Sequence, residues 1–216
     1  MSEHVKPRSY HSPAREEAAR QTRRAILWAA RDLFLKQGYA ATTVTAIASE
    51  AGVAVDTIYA SVGTKPQLFR LLVESALSGT DDEVPALERD YVKSMRAEPD
   101  AARKLEIYAG AVRSIQERLA PLFRVLQEAA PTDETLHAVW SGINERRASN
   151  MRLLVADLLQ AAELSPGITP DEAADIIWTM NSTEYYTMLV HDRGWSPERF
   201  ETWIASAWKR LLLANG

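Results

Sequence analysis

The chain of 216 residues contains no cysteine, which excludes disulfides, thiolate metal sites and cysteine nucleophiles. Histidine is scarce. The four lie at positions 4, 11, 137 and 191, without the close spacing of a metal site. Glu134 and His137 form a single Glu-x-x-His pair, and the second pair that a di-metal carboxylate bundle requires is missing. No glycine-rich phosphate loop and no serine nucleophile elbow is present. No apolar run approaches the roughly 20 residues needed to span a bilayer, and Met1 to Pro13 lack the apolar centre of a signal peptide. These absences point to a cytoplasmic protein with no membrane partner, no metal, no cofactor and no catalytic site.

What is present is ordinary globular material, 46% hydrophobic and 25% charged, enough for one or two domains with a sizeable core. The net charge of −4 is unevenly spread. Up to residue 72 there are 10 Lys/Arg against 6 Asp/Glu, and beyond it 15 against 23. A basic head on an acidic body suggests that one part works near a polyanion and the other away from it.

Apolar periodicity is helical nearly everywhere, and no alternating strand pattern occurs. Ser12-Pro13 reads as a cap and first helical residue, with Thr22, Ile26, Ala29, Ala30, Leu33 and Phe34 on one stripe ending at Gly38. Thr43 caps a short helix through Ala51 that Gly52 stops, and a third helix covers Ala54 to Ser61. Thr64-Lys65-Pro66-Gln67 is a capping box opening a fourth helix to about Ser78. After an acidic boundary at 79–85, helices are expected at 85–97, 100–119, 121–130, 133–162, 170–191 and 197–213. The expected fold is all-α with nine or ten helices.

Residues 43–61 carry the functional signal. Val44, Ile47, Ala48 and Ala51 make a short amphipathic helix, Gly52 permits a left-handed turn, and Val53 and Ile58 point back inward. Ala48, Gly52 and Ile58 have helix-turn-helix spacing, which presents the second helix to a DNA major groove. Two short helices joined by glycine for packing alone would read the same way.

The surrounding residues resolve part of that ambiguity. Gly38-Tyr39-Ala40-Ala41-Thr42-Thr43-Val44-Thr45-Ala46-Ile47-Ala48, Ala51-Gly52-Val53, Thr57-Ile58-Tyr59, Lys65 and Leu68-Phe69 together resemble the tetracycline-repressor (TetR) family over roughly residues 18–72. The resemblance implies a homodimeric bacterial transcription regulator, usually a repressor, that leaves a double-stranded DNA operator when a small-molecule effector binds. It divides the chain into a flexible basic leader at 1–17, a DNA-binding domain at 18–78 and a ligand-binding and dimerisation domain at 79–216. By family position Thr43, Tyr59 and Lys65 are phosphate contacts, and Val55, Asp56 and Thr57 face base edges. The chain departs from the family at Val55, Asp56, Ala60 and Ser61, so the segment 54–62 has no Lys or Arg. Affinity must then come from phosphate contacts elsewhere. Lys6, Arg8, Arg15, Arg20, Arg23 and Arg24 offer a basic arm or a merely solvated tail. Helix 65–78, the covalent route from head to body, is the expected lever.

In the body, Phe200, Trp203, Ile204, Ala207, Trp208, Leu211 and Leu212 form a broad apolar face. The family places a dimer interface on its last two helices, which here assigns Trp203, Ala207, Trp208 and Leu211 to it; an internal core is the alternative. Around Asn181, polar groups interrupt a stretch rich in Trp, Met and Tyr, as in an apolar pocket with a few orienting hydrogen bonds. Tyr108, Phe123, Trp140, Asn144, Trp178, Asn181 and Tyr185 are the candidate ligand contacts, with Gln127, His137 and Met151 nearby. Plain core packing is the competing reading of each aromatic. Two other functions stay open on the residues: a helical carrier of an apolar small molecule, and a metal enzyme built on Glu134 and His137.

Overall fold

Gly38 leaves the helical region at φ 78° and ψ 171°, and that single residue turns Tyr39 back onto Phe34. The rings stack at 5.5 Å, and both meet Phe69 edge-on at 5.2 and 5.6 Å. This aromatic trio anchors a head made of α1 (Pro13–Ala41), α2 (Val44–Ala51), α3 (Val55–Ser61) and α4 (Lys65–Ser78). Ile26, Ile47, Ile58 and Leu68, all buried, complete its core. The computed structural model describes residues 13–80 and 84–214. The proposed cap at Ser12, Lys6 and Arg8 of the basic arm, and residues 81–83 of the acidic boundary lie outside the described residues. Residues 13–17 are the first turns of α1 rather than leader, with Pro13 at its start and Glu17 bound to Arg20 at 2.6 Å.

The body comprises α5 (Asp90–Ala97), α6 (Ala101–Ala129), α7 (Glu134–Leu158), α8 (Pro170–Met180), α9 (Thr183–Thr187) and α10 (Pro197–Leu212). A 3-10 turn precedes α5 at Ala86–Glu88, and a π turn follows α9 at Met188–Asp192. No strand occurs among the described residues, and no helix among them is long and apolar enough to cross a membrane.

Two expected boundaries are corrected. Residues 100–119 and 121–130 are one helix, since α6 runs through Pro121. A mid-helix proline costs about 3 kcal/mol. The flanking Leu119, Leu122 and Phe123 are nearly fully buried against the head-side core, and that packing outweighs the cost. Conversely, 170–191 is not one helix. Asn181 closes α8, Ser182 caps α9 by accepting from the Tyr185 amide at 3.1 Å, and the chain finishes in the π turn.

The core forms two clusters. One holds the head together with the C-terminal half of α6 and the start of α7, including Phe123, Leu126, Leu136 and Ile143. The other fills the body between α5, α6, α7, α8 and α10. Helix α6 belongs to both.

Candidate nucleic-acid interface and cavity

The turn between α2 and α3 is built as its sequence requires. Thr43 caps α2 by accepting from the Ala46 amide at 3.1 Å. Gly52 takes φ 66°, and the Val53 amide returns to the Ala48 carbonyl at 3.0 Å. Ala48 is 3% exposed, which lets α2 and α3 approach, and Ile58 at 1% exposed seats α3. Arg23 of α1 donates from Nη1 to the carbonyl of Ser61, the last residue of α3, at 3.2 Å. The sequence left that arginine to a basic arm or a solvated tail; its half-buried side chain instead holds the carboxyl end of α3, the negative end of the helix dipole.

Of the six proposed DNA contacts, Thr43, Asp56 and Tyr59 are exposed, while Val55, Thr57 and Lys65 are half-buried. Asp56 sits in the first turn of α3, where a carboxylate also favours its own helix. Lys65 lies at the start of α4 with Nζ 4.1 Å above the Tyr39 ring. Burial holds its amine below the ordinary lysine value, and the Asp133 charge works in the opposite sense. Burial, with Asp133 adding to it, pushes the Tyr39 hydroxyl up to about 12. Gln67 Oε1 accepts from both the amide (2.8 Å) and the hydroxyl (3.1 Å) of Thr64, fixing the entry to α4.

Between the two core clusters lies a cavity of about 350 Å³. Its apolar wall combines Leu77 of α4, Met95 of α5, Leu119 and Phe123 of α6, and Ile143 and Leu154 of α7. Its polar end is assembled where α8 breaks. There the Asn181 carbonyl accepts from Gln116 Nε2 at 2.8 Å. Asn181 Nδ2 donates to the Tyr108 hydroxyl at 2.8 Å, and Asn181 Oδ1 accepts from Arg147 Nη2 at 2.5 Å. Burial pushes the Tyr108 hydroxyl pKa up, with the Asn181 hydrogen bond opposing.

Three of the seven proposed ligand contacts, Tyr108, Phe123 and Asn181, line this cavity, as does Met151. The other four stand behind or away from it. Trp140 stacks on Phe123 at 4.7 Å, Asn144 accepts from Arg147 at 3.1 Å, and Trp178 lies 5.0 Å from the Arg147 guanidinium. Tyr185 accepts at its hydroxyl from Trp203 Nε1 at 2.9 Å. Sequence reading missed Gln116 and Arg147. Gln116 had a signal, a polar residue on the stripe Tyr108, Val112, Leu119, Phe123. Arg147 had none, since Glu145-Arg146-Arg147 reads as a solvated run.

The proposed dimer residues divide. Trp203 and Leu211 are 39% and 45% exposed, but Trp208 is fully buried and stacked on Tyr108 at 5.5 Å. Ala207 is also buried. The inner stripe of α10 is therefore body core, which removes Trp208 and Ala207 from any intersubunit surface of this protomer. Among the described residues no three His, Asp or Glu gather to hold a metal ion, and Glu134 and His137 are exposed.

Residues 26–72 match the family model for bacterial regulatory proteins of the tetR family. No curated protein sequence matches the chain. Among solved structures, it is similar to NalD, the secondary repressor of the MexAB-OprM multidrug efflux pump in Pseudomonas aeruginosa. That likeness has 23% identity and a TM-score of 0.71, covering 93% of this chain and 100% of NalD. The transcriptional regulator FadR from Bacillus subtilis, solved with stearoyl-CoA, is 19% identical with a TM-score of 0.67 over 86% of this chain and 96% of FadR. SmeT in complex with triclosan is 16% identical with a TM-score of 0.64 over 90% and 93%. The helix-turn-helix head, residues 26–72, thus carries the pattern of the tetR family of bacterial regulatory proteins.

Proposed function

We propose that the protein is a cytoplasmic, ligand-responsive repressor that binds a palindromic operator as a homodimer and is released by a small, mostly apolar effector. The reading rests on one observation: the cavity is walled by both Leu77 of α4 and Phe123 of α6, at the seam where the head core continues into the body. A molecule filling that space bears on the helix that carries the head. Arg118 Nε to the Ala76 carbonyl (3.0 Å) and Arg146 to Glu74 (2.5 Å) tie α4 to α6 and α7, so α4 responds with the body. Two heads must meet major-groove faces roughly 34 Å apart, and a small rotation of each α4 spoils that spacing. The lever is thus α4 together with α6, rather than α4 alone. The repressor named for NalD and the small molecules named for FadR and SmeT agree with this reading.

Thr43, Tyr59 and Lys65 are the proposed phosphate contacts; Val55, Asp56 and Thr57 face the bases, with Asp56 accepting from a cytosine amino group and Val55 packing on a thymine methyl. Trp203 and Leu211 lie on the proposed dimer face. The proposed division is residues 18–78 for DNA and 79–216 for ligand and partner. The test is binding of purified protein to its own upstream intergenic DNA against a scrambled duplex at two salt concentrations. Selective binding to one palindromic site supports the reading. Equal binding to both duplexes overturns it in favour of the carrier that the absence of Lys and Arg from α3 suggests.

A further inference from the structure

The polar end of the cavity is electrically unbalanced. Arg147 lines it and, among the described residues, makes hydrogen bonds only to neutral oxygens: the Trp178 carbonyl at 2.6 Å, Asn181 Oδ1 at 2.5 Å and Asn144 Oδ1 at 3.1 Å. No acidic side chain among the described residues forms an ion pair with it. Glu184, the acid whose charge reaches it, is exposed and held by Gln127 at 3.2 Å. The other charged groups lining the cavity are Arg89, Arg96 and Asp157. The single carboxylate is already neutralised, since Lys104 holds it at 2.6 Å. A guanidinium in a mostly apolar enclosure is costly without a counter-charge.

Gln116 adds a second, independent signal. Its side chain is 4% exposed, and its orientation is fixed by the bond from Nε2 to the Asn181 carbonyl. Its Oε1 is left buried with no hydrogen-bond partner. Native interiors leave few such acceptors unpaired, and Gln116 lines the cavity beside the Arg147–Asn181 network. The apolar part of the lining is Leu, Met, Phe, Val and Ile.

We infer that the cavity is built for an apolar organic anion, whose carboxylate or equivalent acidic group pairs with Arg147 and whose hydroxyl or N–H donor meets Gln116 Oε1. This narrows the effector class within the function proposed above and rests on that reading. A neutral apolar molecule would leave the guanidinium without a counter-charge, whereas an acid supplies a charge-assisted bidentate partner.

The test measures direct binding, without DNA, of decanoate and phenylhexanoate, each against its primary amide and its alcohol. Calorimetry and quenching of tryptophan fluorescence provide the readouts, Trp178 lying against Arg147. At least one acid is expected to bind about ten-fold or more tighter than its amide. Arg147→Met should remove that preference while leaving the amide's affinity within about three-fold, and Arg147→Lys should retain part of it. If Arg147→Met fails to fold, the acid-to-amide ratio in the wild-type protein still decides. Amides or alcohols binding as tightly as the acids, or no acid binding at all, overturns the inference. Operator binding is measured separately, so either result leaves the DNA-binding reading standing or falling on its own assay.

Discussion

Arg23 reaches from α1 to the carbonyl of Ser61 at the end of α3, 3.2 Å away and 38 residues along the chain. It couples the orientation of α3 to α1 through a charge at the helix's negative end. Arg23→Ala is expected to cost about 1 kcal/mol of stability. It should also weaken binding to operator and scrambled DNA alike, read by thermal melting and fluorescence anisotropy. Unchanged affinity with unchanged melting would show that the contact is incidental.

Two of the turn glycines of the head make opposite demands. Gly52 has φ +66° with open space around a hypothetical Cβ, so Gly52→Ala pays only for left-handed backbone, about 1 kcal/mol. At Gly63 (φ +82°) a Cβ would come within 2.2 Å of Gln67 Oε1, the atom that closes the capping box. Gly63→Ala should therefore destabilise distinctly more than Gly52→Ala, and chemical denaturation of the two variants ranks them. The reverse order would contradict the role assigned to the box.

Tyr39 gives the head an alkaline limit. Its folded pKa, pushed up to about 12, lies above its ordinary value. The folded state therefore holds the phenolic proton more tightly, and the stability it adds is complete below pH 10 and lost as pH rises toward about 12. Melting temperature should fall over that window, and Tyr39→Phe should shallow the fall, separating the phenol from Lys65 above its ring. An identical pH profile in the variant would remove Tyr39 as the cause.

On α10 the two tryptophans predict different losses. Trp208→Ala empties a fully buried site against Tyr108 and should cost about 3–5 kcal/mol. Trp203→Ala, at a side chain 39% exposed, should leave the protomer's melting within a few degrees and weaken self-association in analytical ultracentrifugation. A monomeric wild-type protein, or a Trp203→Ala variant that associates as tightly, would sink the dimer face.

The head was readable because its signals are local. Gly38, Thr43, Gly52 and the Thr64–Gln67 box each act within four residues, and each sits where its spacing predicts. The body was readable only as helices. Pro121 continues through α6 because α1 and α4 pack beside it, a long-range effect that no window of sequence contains. The aromatic stripe of α10 could not declare which ring faced inward, and Trp208 went to the core. At the cavity, Tyr108, Phe123 and Asn181 followed from residue type. Arg147 did not, because its partners Trp178 and Asn181 lie 31 and 34 residues away and only the break after α8 brings their oxygens to it.

The most direct test of the account fills the cavity from within and reads the head. Val112 lines the cavity at 4% exposed, on the helix shared by both core clusters. Operator affinity of Val112→Trp, with folding checked by circular dichroism and melting, measures whether occupancy of this space governs DNA binding. The account predicts a folded protein whose operator affinity falls about ten-fold or more, equivalent to about 1.4 kcal/mol. A folded variant that occupies the cavity and still binds operator as tightly as the wild type would contradict it.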